Sequence, residues 1–332
     1  MNERKNITEF DLKETQIAIK TVKDYFQNEL AQTLNLVRVT APLIVRPETG
    51  LNDNLSGIEK PVNFQMHYYG FEAEIVQSLA KWKRYALKKY GFSCYEGLYT
   101  DMNAIRSYEQ LDAIHSAYVD QWDWELIIQN EDRNEQYLRK IVQKIYTVLL
   151  KLEKYMVGLY PNVLKTTLPS EIAFISSQEL ENIYPDYSPK EREREAARKY
   201  KAVFIIGIGE TLNSGQAHDV RSPDYDDWTL NGDMILYNEI LDDAFEISSM
   251  GIRVDSQALD RQLQLSKTND RRMFPYHQAV LHNELPYTIG GGIGQSRLCQ
   301  FFLRKQHIGE VQASVWDDDT MEECKKKHIR LL

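Results

Sequence analysis

Carboxylates, glycines and arginines fall in this chain at spacings that suit phosphate chemistry. The most acidic segment, 218–253, reads His218-Asp219-Val220-Arg221-Ser222-Pro223-Asp224-Tyr225-Asp226-Asp227-Trp228, then Asn231-Gly232-Asp233. Residues 234–237 and 244–247 have strand character, and a turn near 240 sets Asp233 opposite Glu246. Like charges face to face cost energy unless a cation lies between them. An oxygen-only pair suits Mg2+, which keeps waters and shares substrate phosphates. A pairing displaced by one residue would instead turn one carboxylate outward. A second cluster, Gly290-Gly291-Gly292-Ile293-Gly294-Gln295-Ser296-Arg297, packs four glycines into five positions ahead of an arginine. It reads as a strand or turn running into a helix, whose first N–H groups would draw an anion beside Arg297. Glycine clusters also mark plain tight turns. The run has neither the Gly-Lys-Ser/Thr ending of a phosphate loop nor the acidic residue of a dinucleotide fingerprint.

The elements that must position these residues follow from apolar spacing. Ile19, Val22, Phe26, Leu30 and Leu34 mark an amphipathic helix over 15–34, and a short strand at 36–39 runs on extended past Pro42. This unit is either a core helix or a partner surface. Asp53 sits in a polar loop. Strands are predicted at 63–69 and 71–76 around Gly70. A helix opens at Ser78 as N-cap and closes at Gly91, with Lys81, Lys83 and Arg84 expected on a solvated face. Strands at 98–105, ending in Arg106, and 115–122 form a hairpin with a long polar loop. A helix spans 131–158. Strands follow at 173–175 and 202–209, and between them Ser188-Pro189 starts a polar helix.

The chain has 332 residues, 42% hydrophobic and 11% aromatic, enough for a large core. A net charge of -9 argues against sequence-blind nucleic-acid binding, so an anionic ligand needs a locally basic pocket. Cys94, Cys299 and Cys324 have no metal-ligand spacing and point to a reducing, cytoplasmic compartment. No apolar run reaches the ~18 residues of a membrane span, and residues 1–14 carry no signal-peptide core.

Six blocks together carry a resemblance to ammonia-dependent asparagine synthetases, the aspartate–ammonia ligases. They are Asp53-Asn54-Leu55-Ser56-Gly57, Ser78-Leu79-Ala80-Lys81-Trp82-Lys83-Arg84, Tyr118-Val119-Asp120-Gln121-Trp122-Asp123-Trp124, Pro223-Asp224-Tyr225-Asp226-Asp227-Trp228, Phe245-Glu246-Ile247-Ser248-Ser249-Met250-Gly251-Ile252-Arg253, and the glycine run through Arg297. The resemblance covers nearly the whole length. It implies an α+β fold like the catalytic domain of class II aminoacyl-tRNA synthetases: a mostly antiparallel sheet flanked by helices. It implies one catalytic domain over 1–332, with a dimerisation helix and strand at about 15–44 and an adenylate-forming core at about 63–304, working as a homodimer. The implied reaction joins L-aspartate and ammonia at the expense of ATP, with Mg2+, through β-aspartyl-AMP. No nucleic-acid or membrane partner is expected.

The resemblance also implies roles. Arg106 should bridge the aspartate carboxylate and the α-phosphate, and Arg297 should hold the γ-phosphate or stack on adenine. Gly292 and Gly294 should border the nucleotide, and Asp233 and Glu246 should hold Mg2+. Lys83 and Arg253 are expected on the aspartate carboxylate, Asp123 and Asp226 on its ammonium, with Gln121, Ser78 and Ser249 as further polar contacts. Asp53, with Asp226 second, is the candidate acceptor of the ammonium proton; an ordinary turn-capping role is the alternative. The chain departs from the family in having only Thr229 and Leu230 between Trp228 and Asn231, which is expected to shorten a lid. The tail after Trp316 looks divergent and is given no role. A tRNA-charging enzyme would normally need an anticodon-binding domain and a basic face, and neither is evident. A non-catalytic relative is expected to have lost Arg106, Arg297, Asp233 or Glu246, and all four residue types are present.

Overall fold

The computed structural model describes residues 6–53, 55 and 59–332. Asn54, Ser56 and Gly57 of the Asp53 block lie outside the described residues. In chain order, α1 (Leu12–Leu34), β1 (Leu36–Arg38) and β2 (Ile44–Val45) lead to β3 (Asn63–Met66), β4 (Phe71–Ile75) and α2 (Ala80–Tyr90). The long hairpin β5 (Gly97–Ile105) and β6 (Tyr118–Ile127) comes next, then α3 (Glu135–Leu159), β7 (Ala173–Ser176), α4 (Ser177–Ile183), α5 (Pro189–Tyr200) and β8 (Ala202–Ile206). A second long hairpin, β9 (Asp226–Asn238) and β10 (Asp243–Arg253), is followed by α6 (Ser256–Leu265), α7 (Pro275–Leu281), β11 (Thr288–Gly294), α8 (Gln295–Phe302) and α9 (Asp318–Lys326).

Eight strands form one sheet in the order β1-β5-β6-β11-β10-β9-β8-β7, and β2-β4-β3 form a small second sheet. The outermost pairs of the large sheet, β1 with β5 and β7 with β8, run parallel; the pairs between them run antiparallel. This is the α+β, mostly antiparallel architecture that the resemblance implies. Asp11 caps α1, accepting from the Glu14 amide at 2.7 Å, and Asn35 ends it in the left-handed conformation. The stripe Ala18, Val22, Phe26 and Leu30 of α1 is buried in one core with Trp122 and Trp124 of β6 and the apolar face of α3. Ser188 caps α5 with Pro189 at its start, as the sequence predicts.

Several expectations need correction. Lys81, Lys83 and Arg84 are not a solvated face: they are 3%, 1% and 2% exposed. Their helix packs onto β6 and β11, and each charge meets a buried partner, Asp224 for Lys81, Gly291 O for Lys83 and Val254 O for Arg84, a pairing that periodicity cannot foresee. Leu79 takes the N-cap position of α2, while Ser78 Oγ accepts from the Ala80 amide at 3.1 Å. The strand expected at 202–209 ends at Ile206, because Gly207 and Gly209 adopt φ of 81° and 113°. Thr229 and Leu230 lie within β9, so the short connection is continuous strand. The tail folds back as α9, and the Leu332 amide donates to Gly309 O at 2.8 Å.

The expected pairing of Asp233 with Glu246 is also wrong. The turn is residues 239–242, centred beyond 240, and the ladder shifts between Glu246 and Ser248. Glu246 therefore pairs with Ile235, and Asp233 with Ser249.

Candidate active site

Across the middle of the sheet, one row of paired residues runs Thr100, Asp123, Gly292, Ser249, Asp233 through β5, β6, β11, β10 and β9. Side chains alternate along a strand, so the neighbouring rows with Gln121 beside Gly294 and Glu125 beside Gly290 present to the same face. A cleft of about 380 Å³ opens over these rows, a size that suits a small-molecule site.

The glycines are the floor of this cleft. None of Gly290, Gly291, Gly292 or Gly294 has positive φ, so the run is regular strand and not a turn. It is glycine because neighbouring side chains lie across it. A Cβ on Gly290 would come within 2.0 Å of Glu125 Oε2, and one on Gly292 within 2.4 Å of Gln121 Oε1 and 2.9 Å of Asp123 Oδ1. Helix α8 starts directly after the strand and carries Arg297 in its first turn.

On this floor lies a buried ionic lattice. Lys83 Nζ donates to Gly291 O at 3.0 Å and lies 3.2 Å from Asp123 Oδ2 and 3.9 Å from Glu125 Oε2. Arg253 Nε donates to Glu125 Oε1 at 2.9 Å, its Nη2 to Glu125 Oε2 at 2.7 Å, and its Nη1 to Asp226 Oδ1. Burial lowers the pKa of the Lys83 ammonium, although Asp123 opposes the shift. Burial raises the Asp226 carboxyl despite Arg253. For Glu125 burial acts upward, but Arg253, Lys83 and Thr288 together hold it below its usual range. Lys83 and Arg253 thus enter the site already neutralised, held in place by the carboxylates around them.

At one side of the cleft stands Asp53. Its Oδ1 accepts from the Leu55 amide at 3.0 Å, while its Oδ2 is buried with no hydrogen-bond partner among the described residues. Burial raises the Asp53 carboxyl, and Lys81 and Arg106 oppose the shift. Lys81 itself is bound, at 3.2 Å, to Asp224, which also receives His277 at 2.9 Å, Arg271 at 3.0 Å and Ser222 at 2.9 Å. Arg106 follows β5 directly, anchored by its amide to Ala117 O at 2.8 Å. Its Nε is buried without a hydrogen-bond partner among the described residues, and its Nη1 lies 3.9 Å from Glu109. Ser78 borders the same cleft.

At the other side, Arg297 Nη1 donates to Glu246 O at 3.2 Å and lies 4.0 Å from Glu246 Oε2. Burial works against the ionised Glu246, yet Arg297 and Arg221 hold its pKa below the usual range. Asp233 is buried behind Arg221, whose Nη2 donates to Asp233 Oδ2. Burial raises the Asp233 carboxyl to about 7, with Arg221 opposing and Glu246 adding to the rise. Asp233 Oδ1 makes no hydrogen bond of good geometry among the described residues; Ser249 lies close enough to steady its charge. A buried, raised carboxyl with a free oxygen next to a second carboxylate fits a hard divalent cation.

The cleft thus brings together Asp53, Ser78, Lys83, Arg106, Gln121, Asp123, Asp226, Glu246, Ser249, Arg253, Gly292, Gly294 and Arg297, with Asp233 one layer behind. The sequence reading missed Arg221, Lys190 and Asp219, which also line it. Arg221 and Asp219 lie in the most acidic segment, 218–253; an arginine set between Asp219 and Asp224 is the available signal.

A family model described as aspartate-ammonia ligase matches residues 13–328. A protein named aspartate–ammonia ligase from Ruminiclostridium cellulolyticum is 58% identical over 323 residues, covering 97% of this chain and 96% of its own. One of the same name from Fusobacterium nucleatum is 57% identical over 326 residues, covering 98% and 99%. Among solved structures, the asparaginyl-tRNA synthetase of Entamoeba histolytica matches with a TM-score of 0.62 and 13% identity, over 91% of this chain and 67% of that one. The aspartyl-tRNA synthetase of the same organism matches with a TM-score of 0.63 and 13% identity, over 92% and 59%. At such identity the likeness is one of fold.

Proposed function

The chain belongs to the aspartate–ammonia ligase family, and from that premise we propose that it converts L-aspartate, ammonia and ATP to L-asparagine, AMP and diphosphate through β-aspartyl-AMP. A carboxylate does not exchange oxygen for nitrogen unaided, because oxide and hydroxide leave poorly. In this reading the side-chain carboxylate attacks the α-phosphorus, forming a C–O–P bond as diphosphate departs. Ammonia then attacks the acyl carbon, and AMP carries the oxygen away. The protein supplies position and charge and forms no covalent intermediate.

Arg106 spans the two anions as they meet; its free Nε and a planar guanidinium suit a bridge that lysine could not make. Lys83 and Arg253 hold the substrate's α-carboxylate, and Asp123 and Asp226 its ammonium. Gln121, Ser78 and Ser249 complete that subsite. Arg297, at the helix start beyond Gly294, holds the distal phosphates or the adenine, with the backbone at Gly292 and Gly294 bordering the nucleotide. Asp233 and Glu246 would hold Mg2+, which when bound neutralises phosphate charge. Asp53 takes the proton that ammonium must lose before it has a lone pair to attack with. The reading includes a homodimer formed through α1 and β1 in a reducing cytoplasm. Three unpaired cysteines support that setting, and no described helix is long and apolar enough to cross a membrane.

The observation that carries the proposal is the gathering of Asp53, Arg106, Arg253, Glu246 and Arg297 around one cleft. Incubation with aspartate, ATP, Mg2+ and ammonium should yield asparagine, AMP and diphosphate in equal amounts without tRNA. ADP in place of AMP would overturn the adenylate route.

A further inference from the structure

Arg221 stands where two demands meet. Its Nη2 donates to Asp233 Oδ2, and its Nη1 lies 3.3 Å from Asp219 Oδ2. Its charge also acts on Glu246. A structural ion pair would have no reason to face the substrate, yet Arg221 lines the cleft. It rides on the irregular connection 207–225, with no helix or strand to fix its backbone. Asp233 meanwhile keeps a buried oxygen without a hydrogen bond among the described residues. Two carboxylates at close quarters need one positive neighbour at least. Arg297 and Lys190 act on Glu246, and Lys190 Nζ lies 3.0 Å from Glu193. Arg221 is the cation in direct contact with Asp233.

We infer that Arg221 is an internal counter-ion of the Asp233–Glu246 pair, competing with a divalent cation for Asp233 and passing to the polyphosphate of a bound nucleotide. The inference rests on the proposed metal role of Asp233 and Glu246. A divalent cation and Arg221 then compete for the same charge, so the metal binds weakly by itself. Arrival of phosphate gives the guanidinium a second anion and releases Asp233. Metal and nucleotide thereby favour one another, and the coupling is reciprocal. Bidentate contact with phosphate would use the same two nitrogens that face Asp233 and Asp219.

The test uses Mn2+ as the probe, followed by the electron paramagnetic resonance of the free ion, with the full-length protein. Without nucleotide, Arg221→Gln should bind Mn2+ at least about ten-fold more tightly than wild type, a gain of about 1.4 kcal/mol, while Arg221→Lys should stay close to wild type. With the α,β-methylene analogue of ATP present, that gain should vanish, and the analogue itself should bind Arg221→Gln more weakly. Melting temperatures report whether each variant folds, and Arg221→Met keeps the bulk of the stem if the glutamine variant does not. Equal or weaker Mn2+ binding by the neutral variants would overturn the counter-ion role and leave the metal role standing. Undiminished Mn2+ binding by Asp233→Asn would overturn the metal role on which it rests, whereas the asparagine assay tests the overall reaction separately.

Discussion

Asp53 is 1% exposed and still keeps Oδ2 free of any hydrogen bond among the described residues. A turn-capping aspartate would need only Oδ1, which already accepts from Leu55. The spare oxygen is what a proton acceptor requires, and burial raises its pKa toward a useful range. Asp53→Asn should therefore reduce ammonia-dependent asparagine formation about 100-fold or more, while aspartate-dependent exchange of diphosphate into ATP persists. Loss of both together would count against the role. The sign for pH follows: a raised carboxyl loses its proton later, so the acid limb of the wild-type amide-forming step should lie above the ordinary carboxylate range. Which charged residues gather at the cleft was partly legible in the sequence: Asp53, Glu246 and Arg297 stand in three of the six blocks and Arg106 ends a predicted strand, and all four line the cleft. Their partners were not legible. Lys83 and Arg253 look in sequence like free cations, but Asp123, Glu125 and Asp226 come from distant strands to neutralise them.

At the scale of elements, the glycine strand separates two kinds of constraint. Gly292 faces Gln121 and Asp123, whose side-chain ends can shift; Gly291 faces the Met250 Cβ at 2.5 Å and Ser249 O at 2.7 Å, which cannot. Gly292→Ala should fold with nearly wild-type melting and lose about 100-fold in kcat/KM for aspartate, because the two displaced groups line the cleft where the aspartate subsite is proposed. Gly291→Ala should instead lose roughly 1–3 kcal/mol of stability through overpacking, seen in denaturant unfolding. The sequence showed that a helix follows this run, since apolar spacing changes at Leu298. It did not show the register of β9 with β10. A symmetric turn is the simplest assumption from sequence, whereas Asn238 Oδ1 accepts from the amides of Ile240 and Leu241 and draws the turn onward. The shift near Ile247 then moves the ladder once more.

For the whole molecule, β1 is an edge strand paired on one side with β5, and Val37 on it is 57% exposed, with Leu43 and Ile44 exposed nearby. If this edge with α1 forms the dimer, Val37→Glu should weaken association by about 100-fold or more, which light scattering after size exclusion would register as monomer at concentrations where wild type is a dimer. The architecture was legible through the resemblance that the six blocks carry, not through periodicity, which places single helices and strands but not their order in a sheet. The burial of α2 was not, because a helix rich in lysine and arginine reads as surface until the carboxylates beneath it are known. The row from Asp123 through Gly292 and Ser249 to Asp233 has a last consequence. Three ladder steps of ~4.8 Å separate its ends, so the proposed amino-acid end at Asp123 and the proposed phosphate end at Asp233 are held about 14 Å apart by backbone alone. The sheet is in effect a gauge: no rotamer change can alter that span, and a ligand is measured against it along its whole length.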